Sequence, residues 1–209
     1  MSQPDTKERI LDAAEMLFAR DGFHFASLRA ITTLAKVNLA AVNYHFGSKE
    51  ALLEEVFKRR LIPLNEIRQA ELERVRDLAE SEGRAPRAEE VMAAFIVPTV
   101  RFCCQDPQAE HFSTLVGRAI AEPDDTVRNV FIHHIMPLFL LFFDLLQKAL
   151  PDLDIDTVFW RLHFSMGATT HTMRLMGKPE LLPEGLNRNI DIDKLLRDLL
   201  AFVTAGVVQ

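Results

Sequence analysis

The sequence predicts an all-α protein. Apolar residues recur at helical spacing along most of the chain, β-branched and aromatic residues do not alternate as they do in strands, and glycine and proline fall between the helical stretches. The 209 residues suit one or two compact domains, and 48% hydrophobic with 26% charged residues is typical of a globular protein. We therefore expect the chain to bury a sizeable core.

Four helices are predicted within the first sixty residues. Their predicted bounds are residues 5–20, 28–35, 39–46 and about 48–62. Gly22 ends the first helix, and Ser27, Asn38 and Ser48 are suitable N-caps for the other three. The second and third helices are separated only by Lys36–Asn38. This is the spacing of a helix-turn-helix unit, whose second helix enters the major groove of DNA.

The remaining chain also has helical patterns. They follow at about residues 64–82, 88–105, 108–121, 124–149, 155–176 and 191–205, with a long loop at 177–189. Pro63 is expected to end the fourth helix, and Pro98 and Pro137 are expected to kink or break theirs. Because Asp144 interrupts the longest apolar run, no membrane-spanning helix is expected. The first twenty residues lack the apolar core of a signal peptide, so the predicted location is the cytoplasm, without a membrane partner.

The charge distribution favours a polyanionic partner near the N-terminus. The net charge of −6 by itself argues weakly against nucleic acid. However, residues 1–60 hold nine basic and eight acidic side chains, so the acidic excess lies in the rest of the chain. The segment Gly22–Lys49 contains Arg29, Lys36 and Lys49 and no carboxylate. DNA can approach this segment without meeting a fixed negative charge.

The third predicted helix has a face suited to a DNA groove. Val42 and Phe46 point inward, with Leu39 at their edge, whereas the small or neutral residues Ala40, Asn43 and Tyr44 point away. An asparagine here can pair with an adenine edge, and an alanine can contact a thymine methyl group. The adjacent tyrosine, together with His45 and Lys49, can bind phosphates.

Three stretches carry a specific resemblance. RILDAAEMLFARDGF (residues 9–23), SLRAI (27–31) and VNLAAVNYHFGSKEAL (37–52) resemble the N-terminal domain of the TetR family of transcriptional regulators, over about residues 5–60. The resemblance implies an all-helical homodimer that binds operator DNA. It further implies a DNA-binding domain at residues 1–50 and a C-terminal domain at 51–209 that binds a small effector and then releases the DNA.

The resemblance also implies roles for individual residues. By motif position, phosphate contacts come from Ser27, Tyr44, His45 and Lys49, and base-edge contacts come from Arg29, Leu39, Ala40 and Asn43. The sequence departs from the family pattern twice. Lys36 stands where the turn usually has glycine, so it is expected to adopt a left-handed conformation. Asn43 stands where an aromatic residue is usual, which favours reading a base rather than binding a phosphate.

The C-terminal domain is rich in phenylalanine and methionine, which suit either a helical core or a pocket for an apolar or amphipathic effector. Phe102, Phe139 and Trp160 are the candidate pocket residues. The last two predicted helices, about 155–176 and 191–205, are the candidate dimer surface. No metal site or cofactor is predicted, and satisfied or surface histidines are expected instead.

The functional prediction is a ligand-responsive transcriptional regulator, a repressor released from operator DNA by its effector. No nucleophile elbow, phosphate loop or zinc-protease motif is present in the sequence, which argues against an enzyme. Two alternatives remain open at this point: a helical small-molecule-binding protein without DNA function, and a helical enzyme. Salt-dependent binding to DNA separates the regulator from the binding protein.

Overall fold

The computed structural model describes residues 5–105, 109–121 and 125–208, and these ranges contain nine α-helices, one 3-10 helix and no strand. The helices are α1 (Thr6–Asp21), α2 (Leu28–Ala35), α3 (Leu39–Phe46), α4 (Lys49–Ser81), α5 (Ala88–Gln105), α6 (Ala109–Ala121), α7 (Asp125–Ala149), α8 (Ile155–Met176) and α9 (Ile192–Val208). The 3-10 helix, Pro179–Leu181, lies in the predicted loop before α9. The all-α fold class is confirmed.

Three helices continue through prolines that were predicted to end, kink or break them. The helix α4 continues through Pro63, where the sequence predicted an end near residue 62, and α5 and α7 continue through Pro98 and Pro137. A proline removes one backbone hydrogen bond from a helix. Leu61 and Leu64, on either side of Pro63, are both buried. The burial of an apolar face before and after the proline therefore outweighs the lost hydrogen bond, and the predicted end was wrong.

The expectation of no membrane-spanning helix stays a prediction, because length and composition alone do not show that a helix spans a membrane. Among the described residues, α7 is long and apolar enough by length and composition, with a mean hydropathy of 1.7 over an 18-residue window. Asp144 does not lower this average enough to exclude it. Only 22% of the window is buried, so much of the apolar surface of α7 is uncovered in the isolated chain.

The chain forms two compact units. The first combines the residues up to Pro63 with Glu110–Ile135, and the second combines Leu64–Ala109 with the residues from Met136 onward. The helices α4 and α7 each contribute to both units. The division at residue 50 predicted from the resemblance is a functional boundary, and it stays a prediction.

The core of the first unit lies beneath the helix-turn-helix. The helix α1 packs against α2 and α3, and its predicted inner face, including Ile10, Ala14 and Phe18, is fully buried. Ile31 from α2 and Val42 from α3 close the same core. Apolar burial of this kind stabilises the short helices α2 and α3, which at eight residues each are too short to persist alone.

A buried ion cluster joins α1 to α4 within this unit. Glu15 of α1 is 1% exposed, and its carboxylate lies 2.6 Å from Nη2 of Arg59 and 3.0 Å from Nε of Arg60. Arg59 also donates to Asp12 at 2.7 Å and to Glu8 at 3.1 Å. Since a buried carboxylate is stable only when it is paired, this cluster fixes how α1 lies against α4.

The C-terminal end of α1 is held by α6. Arg118 donates from Nε to the carbonyl of Ala19 at 2.8 Å and from Nη2 to that of Arg20 at 3.0 Å. A cation at a helix C-terminus satisfies carbonyls that have no partner within the helix. Gly22, the first residue after α1, has φ +86°, and a Cβ there would lie 3.2 Å from Nη1 of Arg118. Backbone conformation and close approach therefore both favour glycine.

The second unit is built on α5, α8 and α9, which pack against one another. Phe95 of α5 stacks on Phe142 of α7 with ring centroids 4.5 Å apart. Arg161 of α8 donates to the carbonyl of Val207 at 3.0 Å, near the end of α9. These contacts hold α5 against α7 and α8 against α9.

We predict that Glu15→Gln lowers the free energy of unfolding by about 3 kcal/mol, because the substitution leaves two partly buried guanidinium groups without their shared carboxylate. Urea denaturation followed by far-UV circular dichroism measures the change. The matched control is Glu8→Gln, which removes an exposed carboxylate of the same cluster and should cost less than about 1 kcal/mol. Equal losses in the two variants would contradict the structural role of Glu15.

Candidate nucleic-acid interface

The predicted caps define the helix-turn-helix. The side-chain oxygens of Ser27, Asn38 and Ser48 each accept a hydrogen bond from the backbone N–H three residues further on, at 3.1, 2.9 and 3.0 Å. Each bond satisfies one of the N–H groups that a helix start leaves without a partner. The N-termini of α2, α3 and α4 are therefore set by local sequence, as predicted.

The turn between α2 and α3 contains the expected strained residue. Lys36 has φ 55° and ψ 48°, the left-handed conformation predicted for it. The backbone N–H of Val37 donates to the carbonyl of Thr32 at 3.0 Å, which closes the end of α2. A side chain with a Cβ is unfavourable in this conformation, and glycine adopts it without strain.

The exposed face of α3 presents the residues predicted to read bases. Val42 and Phe46 are buried against the unit's core, as predicted, whereas Ala40 and Asn43 are exposed. Leu39 begins the helix and is half exposed. Small and uncharged groups thus occupy the outer surface, and a helix with such a surface can lie deep in a major groove.

Three of the predicted phosphate-binding residues, and Arg29, which is predicted to contact a base edge, are also accessible in this unit. Tyr44 is 86% exposed. Its ring contacts the ring of the half-buried His45 edge-on, with the ring centroids 5.1 Å apart. Arg29 is exposed on α2, and the Ser27 hydroxyl, although used as a cap, is also exposed. The structure therefore brings a phenol, an imidazole, a guanidinium and a hydroxyl to the surface of the helix-turn-helix unit.

Lys49, at the start of α4, is held in place by two contacts. Its Nζ lies 4.5 Å from the ring centroid of Phe23 and donates to the carbonyl of His24 at 3.3 Å. A cation over an aromatic face is stabilised electrostatically and still attracts an anion. Sequence reasoning missed the role of Phe23, because nothing in the spacing indicates that residues 26 positions apart are in contact.

The electrostatic surroundings also favour an anion. The acid nearest in sequence before the carboxylate-free segment is Asp21, and Arg20 donates to it at 2.6 Å. This hydrogen bond lowers the pKa of the Asp21 carboxyl, and the arginine also neutralises its charge. The carboxylate that immediately precedes the segment Gly22–Lys49 is therefore offset by its arginine neighbour.

The three predicted effector-binding residues have different surroundings. Phe102 lines a half-open groove of about 660 Å³ between α4 and α5, within the second unit. Phe139 and Trp160 instead flank His163, with ring centroids 5.9 and 6.2 Å from the imidazole. The assignment of these three residues to an effector site stays a prediction.

Several large apolar side chains of the second unit are exposed. They lie on α7, α8 and α9 and include Leu140, Trp160, Phe164 and Phe202. The rings of Trp160 and Phe164 stack on each other, with centroids 6.3 Å apart. We refer to these four residues as the apolar face. Adjacent exposed apolar rings, such as the stacked Trp160 and Phe164, are typical of protein–protein contact surfaces.

A metal site is not evident in the described ranges, where no three His, Cys, Asp or Glu side chains come close enough to hold an ion.

Comparisons with known proteins identify both parts of the chain. The model of "Bacterial regulatory proteins, tetR family" matches residues 10–56, and that of "Tetracyclin repressor-like, C-terminal domain" matches residues 93–206. The transcriptional regulator UidR of Escherichia coli K12 is 42% identical over 55 residues, which are 26% of this chain and 28% of UidR. The transcriptional repressor NicS of Pseudomonas putida KT2440 is 39% identical over 77 residues, 37% of this chain and 35% of NicS. The matches thus span about a third of these relatives or less.

The likeness among solved structures extends over the whole chain. The fatty acid degradation regulator FadR from Bacillus halodurans superposes with a TM-score of 0.67, covering 99% of this chain and 98% of its own. The two sequences are 14% identical. At this level of identity the likeness establishes the shared fold.

We predict that the free energy of unfolding of the Lys36→Gly variant is about 1 kcal/mol higher than that of the Lys36→Ala variant. Glycine adopts the left-handed conformation without the strain that alanine retains. Both variants lack the lysine charge, so their difference isolates the backbone conformation. Urea titration of the two purified variants measures it. A more stable alanine variant would show that the turn does not hold Lys36 in this conformation.

Proposed function

Because the chain belongs to the TetR family of bacterial regulatory proteins, we propose that it is a DNA-binding transcriptional regulator, a repressor that a small effector releases from operator DNA in the cytoplasm. The observation that carries this proposal is the exposed, carboxylate-free surface of α2 and α3, with Asn43 and Tyr44 projecting from the recognition helix. The family consists of regulators, and we propose no catalytic activity. Salt-dependent binding of the ligand-free protein to its own promoter DNA tests the proposal.

In the proposed complex α3 lies in the major groove. Asn43 pairs with an adenine edge, and the methyl group of Ala40 contacts a thymine methyl. Leu39 and Arg29 contribute further base-edge contacts. The phosphates on either side are bound by the remaining residues of the interface, Ser27, Tyr44, His45 and Lys49.

Lys49 has the best-defined geometry of the phosphate ligands. Its contacts with Phe23 and His24 hold the ammonium beside the N-terminus of α4. Free backbone N–H groups at a helix start also attract an anion. Ammonium and helix end therefore favour the same phosphate, and little side-chain freedom remains to be lost on binding.

The apolar face supports assembly as a homodimer. A helix-turn-helix unit reads one half-site, so a two-fold dimer reads two half-sites about 34–36 Å apart. The face lies on α7, α8 and α9, two of which are the helices predicted to dimerise. Gly167 of α8 is exposed, and a Cβ there would meet nothing within 4 Å. A small residue at an open position permits close approach of a partner helix.

The contacts around α1 support a route by which an effector can act. Glu15 ties α1 to α4 and Arg118 ties it to α6, so a shift of either helix displaces the support of α2 and α3. The proposed effector is an apolar or amphipathic molecule bound in the second unit, where Phe102, Phe139 and Trp160 remain the candidate residues. A coupling of about 1–3 kcal/mol between effector and DNA is typical of such systems, and DNA must weaken effector binding by the same factor.

The groove between α4 and α5 favours one alternative, a small-molecule-binding protein without DNA function. Such a protein would bind a ligand but would show no salt-dependent affinity for its promoter DNA.

We predict that Lys49→Ala weakens binding to all DNA sequences to a similar extent and lowers the slope of log affinity against log salt by about one unit, as loss of one phosphate contact should. Fluorescence anisotropy across a salt series measures the slope. Lys58→Ala is the control, because Lys58 is engaged by Glu54 and Glu55 outside the recognition surface. A changed sequence preference with an unchanged slope would contradict the phosphate role.

Asn43→Ala is expected to reduce affinity for the operator by about 1–3 kcal/mol and to change affinity for unrelated DNA little, because the substitution removes one bidentate base contact. Parallel titrations with the promoter fragment and a shuffled fragment of equal length measure both affinities. Equal losses on the two fragments would rule out base reading by Asn43.

A further inference from the structure

Arg68 is a buried cation whose described contacts include no carboxylate. It lies on α4 in the second unit and is 5% exposed. Its Nε and Nη2 donate to Oγ1 of Thr99 on α5 at 2.9 and 2.7 Å, and its Nη1 donates to Oδ1 of Asn65 at 3.0 Å. The guanidinium carbon lies 4.4 Å from the ring centroid of Phe95. All three partners are uncharged.

These contacts leave part of the guanidinium without an acceptor. The group has five N–H donors, and the described contacts use three of them. One N–H therefore remains on each terminal nitrogen. Burial lowers the pKa of Arg68 to about 9, which still leaves it charged at neutral pH.

A second buried arginine on the same helix, Arg60, is paired with a carboxylate. Arg60 is 8% exposed, comparable to Arg68, and its Nε lies 3.0 Å from the carboxylate of Glu15. Burying an arginine without an anionic partner is unfavourable for folding, and an apolar residue of similar volume is often more stable. The position of Arg68 thus indicates a requirement other than stability.

We propose that Arg68 anchors the effector and that the effector is an amphipathic anion, whose carboxylate or phosphate group pairs with the two N–H groups left on the terminal nitrogens. The arrangement of one donor on each terminal nitrogen matches the bidentate geometry with which arginine binds both headgroups. The proposal rests on the proposed function, because it names the ligand class of the effector domain.

The surroundings can also accommodate an apolar body. The ring of Phe95 contacts the guanidinium and also stacks on Phe142. The groove of about 660 Å³ between α4 and α5 lies along the same helix pair and falls in the size range of ligand sites. It is lined by apolar side chains such as Ile67 and Pro98 and also by three glutamates and two arginines. Arg68 does not itself line this groove. Binding of the anion therefore requires α4 and α5 to move apart, and this movement is the signal.

Isothermal titration without DNA tests the proposal with three probes of equal chain length: decanoate, decyl phosphate and decan-1-ol. At least one of the two anions should bind the wild-type protein at least tenfold more tightly than the alcohol. Arg68→Met should lose at least tenfold in affinity for that anion and change little toward the alcohol. The tighter of decanoate and decyl phosphate identifies the headgroup.

Two further variants separate recognition from structure. Arg76→Met removes a surface arginine of the same helix, paired with Asp77, and should bind the anion as the wild type does. Arg68→Lys keeps the positive charge but lacks the two parallel N–H donors of the guanidinium, so it should also lose affinity for the anion. This variant provides the test if the methionine variant does not fold. In the absence of ligand, Arg68→Met should have an unchanged or higher Tm, whereas a purely structural arginine predicts a lower one.

The proposal is overturned if neither anion binds, if the alcohol binds equally well, or if both Arg68 variants retain wild-type affinity for the anion. DNA binding of ligand-free wild-type protein is measured separately. Loss of the anion result with DNA binding intact therefore refutes this inference alone, and loss of DNA binding refutes the proposed function.

Discussion

The buried carboxylate of Glu15 is the interaction on which the first unit depends. It lies in the middle of α1 and engages two arginines of α4, while Arg118 of α6 holds the end of the same helix. The buried apolar face of α1 in turn packs against α2 and α3. Charged contacts have strict geometry, in contrast to apolar ones, so they define one register between helices where apolar packing alone permits several.

The helix α4 carries two buried arginines whose surroundings differ: one is paired with a carboxylate, and the described contacts of the other are with uncharged groups only. In the first unit Arg60 shares a carboxylate, and that pair makes α1 and α4 one rigid support. In the second unit Arg68 is held by a hydroxyl, an amide and an aromatic ring, which orient the guanidinium without neutralising it. Orientation without neutralisation keeps the electrostatic attraction available for an anion. Under our proposal, the same helix therefore combines a fixed structural contact with one completed only by ligand.

Local signals explain what the sequence could predict. The caps at Ser27, Asn38 and Ser48, and the helical spacing of apolar residues, act over three or four positions, so the sequence predicts α1, α2 and α3 within a residue or so. The left-handed conformation of Lys36 was also predicted, but from the family resemblance, because glycine is usual at this place in the turn. The end predicted at Pro63 failed because burial of Leu61 and Leu64 depends on tertiary packing, which a local rule does not include.

The partners in the two sites were less accessible to sequence reasoning for the same reason. Glu15 and Arg60 are 45 positions apart, and Arg68 and Thr99 are 31 apart. A single sequence gives the type of each side chain but not the register between distant helices. The exposed residues of α3 were predictable because a helical wheel needs only local spacing. The lack of a carboxylate beside Arg68 became apparent only when its neighbours were located.

The sparse charge of the DNA-facing surface bears on how a regulator of this kind can be released. The carboxylate-free segment has only Arg29, Lys36 and Lys49 as fixed cations, so a single domain gains limited affinity from phosphates. In the proposed complex, tight binding therefore requires base contacts and two half-sites engaged together. An effector that changes their spacing with a coupling of about 1–3 kcal/mol lowers the affinity for the operator by roughly 5- to 150-fold. A strongly basic surface would hold the DNA against so small a change, and the net charge of −6 is thus compatible with a releasable repressor.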